Sequence, residues 1–266
     1  MDRLKVFGIV ALAVLVTASA ASSKTVVRFG LNFDLGFPQD EFRDNVDNAA
    51  VGGGFFLSVG LPNMPFAIGA SGDYMLLGSE DREAPFSHTV PDVFVDVTTK
   101  YNLAAGHLTF RMQPELGFWE PYIEALVGFH YLWTRTTVSD QGGDSEEIAS
   151  TKHCSSWAFS YGVATGVMIT LYEFPEGFFD EGDSTDTGLE EDDPSEETGS
   201  TGAEEEPEVE MRSIGLFADV RYLKGGEADY LSEGSITIEG GQAYFDVHHS
   251  RTDMIAIRIG LSFTIW

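Results

Sequence analysis

Eight separate stretches of this chain alternate apolar and polar residues with a period of two, and that restricts the fold more than any other feature. In the clearest, Thr25, Val27, Phe29, Leu31, Phe33 and Leu35 interleave with Lys24, Val26, Arg28, Gly30, Asn32, Asp34 and Gly36. Successive side chains of a strand point to opposite faces, so the segment has one greasy face and one that carries full charges. A closed barrel in a membrane accommodates both, with the apolar set turned to lipid and the charges in the lumen.

Spanning strands are expected at 24–35, 49–61, 66–77, 92–103, 121–134, 155–171, 211–223 and 254–266. Each is long enough for the roughly 9 to 11 tilted residues that a bilayer strand needs. In the fourth, Val93, Val95, Val97, Tyr101 and Leu103 are read as outward, against Asp92, Asp96, Thr98, Lys100 and Asn102. In the fifth, Ile123, Ala125, Val127, Phe129, Tyr131 and Trp133 oppose Glu124, Gly128, His130 and Thr134. The fold class is therefore all-β, a closed antiparallel up-and-down transmembrane barrel of eight strands. Ten strands result if Ser235–Glu239 and Gln242–Val247, which flank Gly240-Gly241 as a hairpin, also span rather than stand above the bilayer. The segment 104–120 is long for a turn and leaves room for a short extra strand at His107–Met112.

The N-terminus reads as an export signal. Arg3 and Lys5 precede an apolar run from Val6 to Val16, and Ala18-Ser19-Ala20 is a small-x-small cleavage site, so 1–20 is expected to be a signal peptide and 21–266 the barrel domain. With both ends of the mature chain on the periplasmic side, loops 36–48, 78–91, 135–154 and 224–253 face outside, and Pro62-Asn63-Met64-Pro65 makes a tight periplasmic turn.

Within the barrel domain, 178–210 is an acidic insert. Residues 180–210 hold 15 Asp and Glu and no Lys or Arg, about half of the formal charge of −28. Lacking aromatics, Asp180 to Glu210 cannot bury enough apolar surface to offset the entropy of ordering, and disorder is expected. Asp180, Asp183 and Asp186 recur every three residues, not at the alternate positions of an EF-hand loop. A chain this acidic has no basic stripe with which to bind nucleic acid. The single cysteine, Cys154, excludes an internal disulfide framework.

Trp119-Glu120-Pro121-Tyr122-Ile123 leading into Gly128-Phe129-His130-Tyr131, then Gly162-Val163-Ala164-Thr165-Gly166-Val167, Arg221-Tyr222 and Gly260-Leu261-Ser262-Phe263, resembles the small eight-stranded outer-membrane barrels of the OmpA, OmpX and OmpW type. The resemblance covers about 24–266 apart from the insert and the enlarged loops. It implies an outer-membrane β-barrel of a diderm bacterium, inserted by the barrel-assembly machinery, with Phe263 and Trp266 as its C-terminal assembly signal. Barrels of this kind usually end on a phenylalanine in phase with the outward face. Here the outward set runs Ile255, Ile257, Ile259, Leu261, Phe263 and Ile265, and Trp266 falls one residue out of phase.

The lumen is expected to hold a charge network of Arg28, Lys100, Arg221 and Arg258 against Asp34, Asp96, Glu124 and Asp219. An eight-stranded barrel is just wide enough for side chains to fill it, and unpaired charges inside would cost several kcal/mol each, so these groups should pair and close the barrel. His130 points into the same lumen beside Glu124 by parity. His248, with His249 and Ser250 beside it, has a His-x-Ser spacing similar to outer-membrane lipid A deacylases, yet only Asp253 follows as a carboxylate and nothing supplies an oxyanion hole. No metal, cofactor or catalysis is expected. The expected role is structural or interactive, with outer-membrane lipid around the barrel and host or surface ligands at the outer loops; a narrow channel for small or apolar solutes is the alternative, and a lipid-modifying enzyme the third reading.

Overall fold

The computed structural model describes residues 26–46, 48–87, 90–114, 117–140, 147–174, 211–239 and 242–265. The expected signal peptide, the acidic insert and Trp266 lie outside the described residues. Twelve strands are β1 (Val27–Pro38), β2 (Ala50–Gly60), β3 (Phe66–Ser87), β4 (Val90–Met112), β5 (Trp119–Asp140), β6 (Glu147–Glu173), β7 (Met211–Gly225), β8 (Glu227–Tyr230), β9 (Ile236–Glu239), β10 (Gln242–Phe245), β11 (His248–Arg251) and β12 (Met254–Ile265), with one helix, α1 (Asp40–Asn45).

Eight of these strands close a ring in the order β1-β12-β7-β6-β5-β4-β3-β2. The seam pairs the first strand with the last, from Val27 opposite Ile265 to Pro38 opposite Met254. Closure leaves the ring without an edge, and all neighbouring pairs are antiparallel. The Gly240-Gly241 hairpin forms as β9 and β10 outside the ring, so the ring has eight strands and not ten. His107–Met112 is no extra strand; it continues β4, which runs on from the expected end at 103 to Met112.

One end of the ring carries the two short connections, β2 to β3 and β4 to β5, together with the long β6-to-β7 segment that holds the acidic insert. Between β2 and β3 the chain turns at Leu61–Phe66, with Met64 N–H donating to Leu61 O at 3.3 Å and Leu61 N–H to Phe66 O at 2.7 Å. Asn63 takes φ 57°, a left-handed conformation that asparagine tolerates. At the opposite end β3 to β6 rise as a four-stranded wall well above β1, β2, β7 and β12. Loops expected at 78–91 and 135–154 are therefore largely strand.

The outer surface is apolar in a band bounded by aromatic rings. Toward the short-turn end stand Phe66 against Phe110 (5.4 Å between ring centres), Phe29 against Phe263 (5.1 Å) and exposed Phe118 and Trp119. Toward the other end Tyr131 packs on Trp157 (4.3 Å) and Trp133 (5.2 Å), and Tyr74 reaches Trp133 (5.8 Å). Trp119 and Tyr131 lie twelve positions apart on β5, about 40 Å of strand, or about 30 Å along an axis inclined at about 40°. That is the thickness of a bilayer's hydrocarbon core.

The phase of β4 differs from the sequence expectation. Val97, Tyr101 and Leu103 face inward and are buried, whereas Asp96 and Lys100 are exposed on the outer face. The reason lies in the two environments that this strand crosses. Within the band, lipid-side residues are apolar: Leu108, Phe110 and Met112 face out while His107, Thr109 and Arg111 face in. Above the band the outside is water and the inside is a packed cap, so the apolar side inverts. The pairing of β4 with β5 continues without a register shift through the crossover, and a strand that keeps its register must carry the change in its own sequence.

The cap fills the upper ring. Helix α1, in the expected 36–48 loop, inserts Phe42 edge-on against Tyr230 at 5.2 Å. Around them lie Met75, Leu77, Leu103, Leu132, Leu231 and Met254, all buried. The remaining gap in the wall is bridged by the 226–253 loop: β8 pairs with β11, and Glu233 accepts Ser79 N–H at 3.0 Å, covering the edge of β3 where β2 has ended.

Candidate functional site: the lumen network and the outer cap

Inside the apolar band the lumen is a continuous charged cluster. Arg258 grips Asp219 with two hydrogen bonds, Nε to Oδ1 at 2.9 Å and Nη2 to Oδ2. Tyr122 donates to the same carboxylate at 2.6 Å. Arg221 reaches across the ring to Asp73 (3.2 Å), Ser71 (3.0 Å) and Glu124 (3.2 Å). Arg111 completes Glu124 from the other side at 2.8 Å and lies over the Tyr122 ring at 4.2 Å. Such charge-assisted, multidentate bonds are what make a buried guanidinium tolerable in low dielectric. Gly166 leaves room for them, because a β-carbon there would meet Asp219 Cβ at 2.5 Å and Tyr122 Cζ at 2.7 Å.

Six of the eight expected lumen charges stand inside. Asp34, Glu124, Asp219, Arg221 and Arg258 are buried, and Arg28 lies at the short-turn mouth, paired with Glu120 at 3.3 Å. Asp34 accepts a hydrogen bond from Asn32 Nδ2 at 2.6 Å. Asp96 and Lys100 are the exceptions, placed outside by the β4 phase inversion. In their stead the lumen holds Asp73 and Arg111. Sequence reading passed over Asp73 because β3 is rich in glycine and small residues and shows no clean phase. It passed over Arg111 because the strand was ended at 103. Arg111, Arg221 and Arg258 are at most 2% exposed, so the cluster fills the cross-section. Two recesses, of about 420 and 280 Å³, open at the short-turn end, and Arg28 lines both.

Between the charged cluster and the cap a second chain of hydrogen bonds crosses three strands and a loop. Ser160 Oγ on β6 lies 3.1 Å from His107 Nε2 and 3.1 Å from His130 Nε2, and His130 Nδ1 lies 3.1 Å from Thr252 Oγ1. Thr252 donates to Gly226 O at 3.4 Å. One set of directions is consistent with two neutral imidazoles. Since Thr252 donates onward, it accepts from His130 Nδ1–H; His130 Nε2 then accepts from the Ser160 hydroxyl, which accepts from His107 Nε2–H. His130 thus bonds Ser160 and Thr252, while Glu124, its expected neighbour, is taken by the two arginines. Replacing Ser160 by alanine leaves two buried ring nitrogens without this partner and is expected to cost about 1–3 kcal/mol, read as a lower urea midpoint of the refolded protein. An unchanged midpoint would refute the chain of bonds.

The His248–Ser250 pair of the sequence reading is not brought together as a nucleophile and base. His248 Nε2 lies 3.0 Å from both Ser232 Oγ and Ser235 Oγ, and Ser250 Oγ bonds Tyr230 OH at 2.8 Å. The neighbouring His249 sits in the open between Asp229 (2.7 Å) and Glu227 (3.5 Å), and the hydrogen bond and charge of Asp229 pull its imidazole above the usual range. Among the described residues no group of three or more His, Cys, Asp and Glu side chains is arranged to hold a metal ion. Cys154 is half-buried and free. Of the two assembly-signal residues, Phe263 stacks on Phe29 on the outer face of the seam, while Trp266 lies outside the described residues.

No family model and no curated protein matches the chain. Among solved structures, it is similar to Neisserial surface protein A (TM-score 0.36, 11% identity, 91% of this chain and 96% of that one). It is also similar to Ail, the attachment invasion locus protein of Yersinia pestis, solved in complex with the heparin analogue sucrose octasulfate (0.33, 10%, 90% and 97%). A third is the translocator domain of the autotransporter NalP from Neisseria meningitidis (0.26, 10%, 98% and 95%). The fold follows from the strand order and not from these likenesses: the chain is a closed eight-stranded antiparallel β-barrel, the architecture of the small outer-membrane barrels that its sequence resembles.

Proposed function

We propose that this protein is an integral barrel of the outer membrane of a diderm bacterium, closed to solutes and without catalytic activity, whose role is structural or interactive through the cap and wall that stand above the bilayer. The observation that carries this reading is the pairing of an apolar, aromatic-bounded outer band with a lumen packed by side chains. In water, the same outer face would expose a continuous girdle of large apolar residues far beyond what a soluble monomer tolerates. The short-turn end of the ring then lies on the periplasmic side, and the 226–253 loop, α1 and the β3–β6 wall meet the outside. Lipid surrounds the band, the assembly machinery inserts the barrel, and an external ligand would meet the cap. The dispersal of His248 and Ser250 onto separate partners supports the absence of catalysis.

The channel reading asks for a continuous aqueous path, and the arginine cluster and the cap both lie across it. Protein reconstituted into planar bilayers is expected to give no steady conductance, and membranes carrying it should retain it through carbonate extraction. Regular unitary conductance would overturn the closed reading, and release by carbonate would overturn the membrane reading.

A further inference from the structure

Two of the few basic residues of this acidic chain stand side by side, with the nearest carboxylates of their face, Asp81 and Asp96, one and two steps farther from the band. Lys100 on β4 and Arg135 on β5 are register partners, and the register sets Arg135 opposite Lys152 on β6. Only 15 Lys and Arg stand against 43 Asp and Glu in the whole sequence. Like charges directly opposite on a sheet repel and destabilise the pair. Lys100 and Arg135 are both exposed on the outer face, and neither has an ion pair among the described residues.

Their height on the barrel identifies what would offset the repulsion. The next outward pair toward the band is Asn102 with Trp133, followed by Tyr131, so the row stands one step above the upper aromatic girdle. Girdle rings sit at headgroup level, and one outward step is about 5 Å along the barrel axis. Farther out come Thr98, Thr137 and Ser150 in register; Thr98 donates to Asp81 at 2.6 Å. Partner side chains on adjacent strands start about 5 Å apart, close enough for a guanidinium fork and an ammonium to share one phosphate or two neighbouring ones.

We propose that Lys100 and Arg135 bind the phosphate of an anionic lipid headgroup in the leaflet at the capped end of the barrel. This rests on the membrane reading above and adds to it a lipid class and a location. The site faces sideways into the headgroup layer, where a phosphorylated glycolipid or phospholipid presents phosphate at this depth and a soluble anion gains nothing from the girdle beneath.

The test uses the full mature chain refolded into phosphatidylcholine vesicles, with and without a bisphosphorylated glycolipid, and the double variant K100Q/R135Q. Wild-type protein should show a urea midpoint that rises with the phosphorylated lipid. The double variant should start higher in pure phosphatidylcholine, because the repulsion is gone, and should not respond to the added lipid. Binding of the glycolipid to detergent-solubilised protein should weaken at least about tenfold in the variant. Lys224→Gln, at the same end but paired with Asp253, should retain the response. Equal responses in wild type and double variant would overturn the proposal, as would an identical rise with inorganic phosphate alone, which would make the site one for free anions. Failure of the wild type to insert into either vesicle would count against the membrane reading instead.

Discussion

Replacing Arg221 by methionine is expected to destabilise the barrel by about 3–5 kcal/mol, because the substitution keeps an unbranched apolar stem and removes the charge that joins two carboxylates. Arg221 on β7 is 1% exposed and holds Asp73 on β3, directly across the ring, and Glu124 on β5. Without it Asp73 keeps the 3.8 Å approach of Arg258 and a 3.4 Å hydrogen bond from Asn32 Nδ2, and Glu124 keeps Arg111. The residual carboxylates stay buried and under-compensated, which costs more than the ion pair itself contributes. Urea unfolding in vesicles should show the loss. A double replacement of Arg221 and Asp73 by apolar residues of similar volume should recover part of it, since Glu124 keeps Arg111 and Arg258 keeps Asp219. A single variant as stable as wild type would mean that the cluster is not the closed network described.

The second large effect tests the outer face. Val127 is 46% exposed and lies near the middle of β5 between Trp119 and Trp133. In a bilayer that position is close to the midplane, where an outward arginine costs about 2–4 kcal/mol. The expected result for Val127→Arg is therefore a stability loss of that size, or failed insertion, in vesicles. Thr137→Arg, on the same face but above the girdle, should be nearly neutral. A soluble barrel would tolerate both equally, since an exposed valine in water gains little from being apolar. The contrast between the two positions carries the test, and equal small effects would remove the membrane from the account.

How much of this was legible before the structure varies along the chain. The eight ring strands and the hairpin at Gly240-Gly241 follow from alternation and turn residues, because a strand half in lipid and half in a polar lumen must alternate for its whole length. The inward set of β5 and β12, with Glu124 and Arg258, follows from the same parity. The phase of β4 is different. Its odd positions are apolar from Val93 to Leu103, apart from Thr99, and its even positions from Ala104 to Met112, and a reader who assumes one environment per strand ends the strand at the change. The change marks the boundary between lipid and water. With the strand cut there, Lys100 and Asp96 were assigned to the lumen and Arg111 was lost from it.

The sequence by itself determined an exported-looking chain with eight amphipathic strands, a charged interior and an acidic insert, because those are properties of local pattern and composition. Only the tertiary structure decided which charges meet. Arg221 finds Asp73 and Glu124 from strands 148 and 97 residues away in sequence, and the Ser160 hydroxyl joins imidazoles 53 and 30 residues distant. Side-chain parity specifies the direction in which a residue points, while ring closure and strand stagger specify its height, and a contact across a lumen requires both.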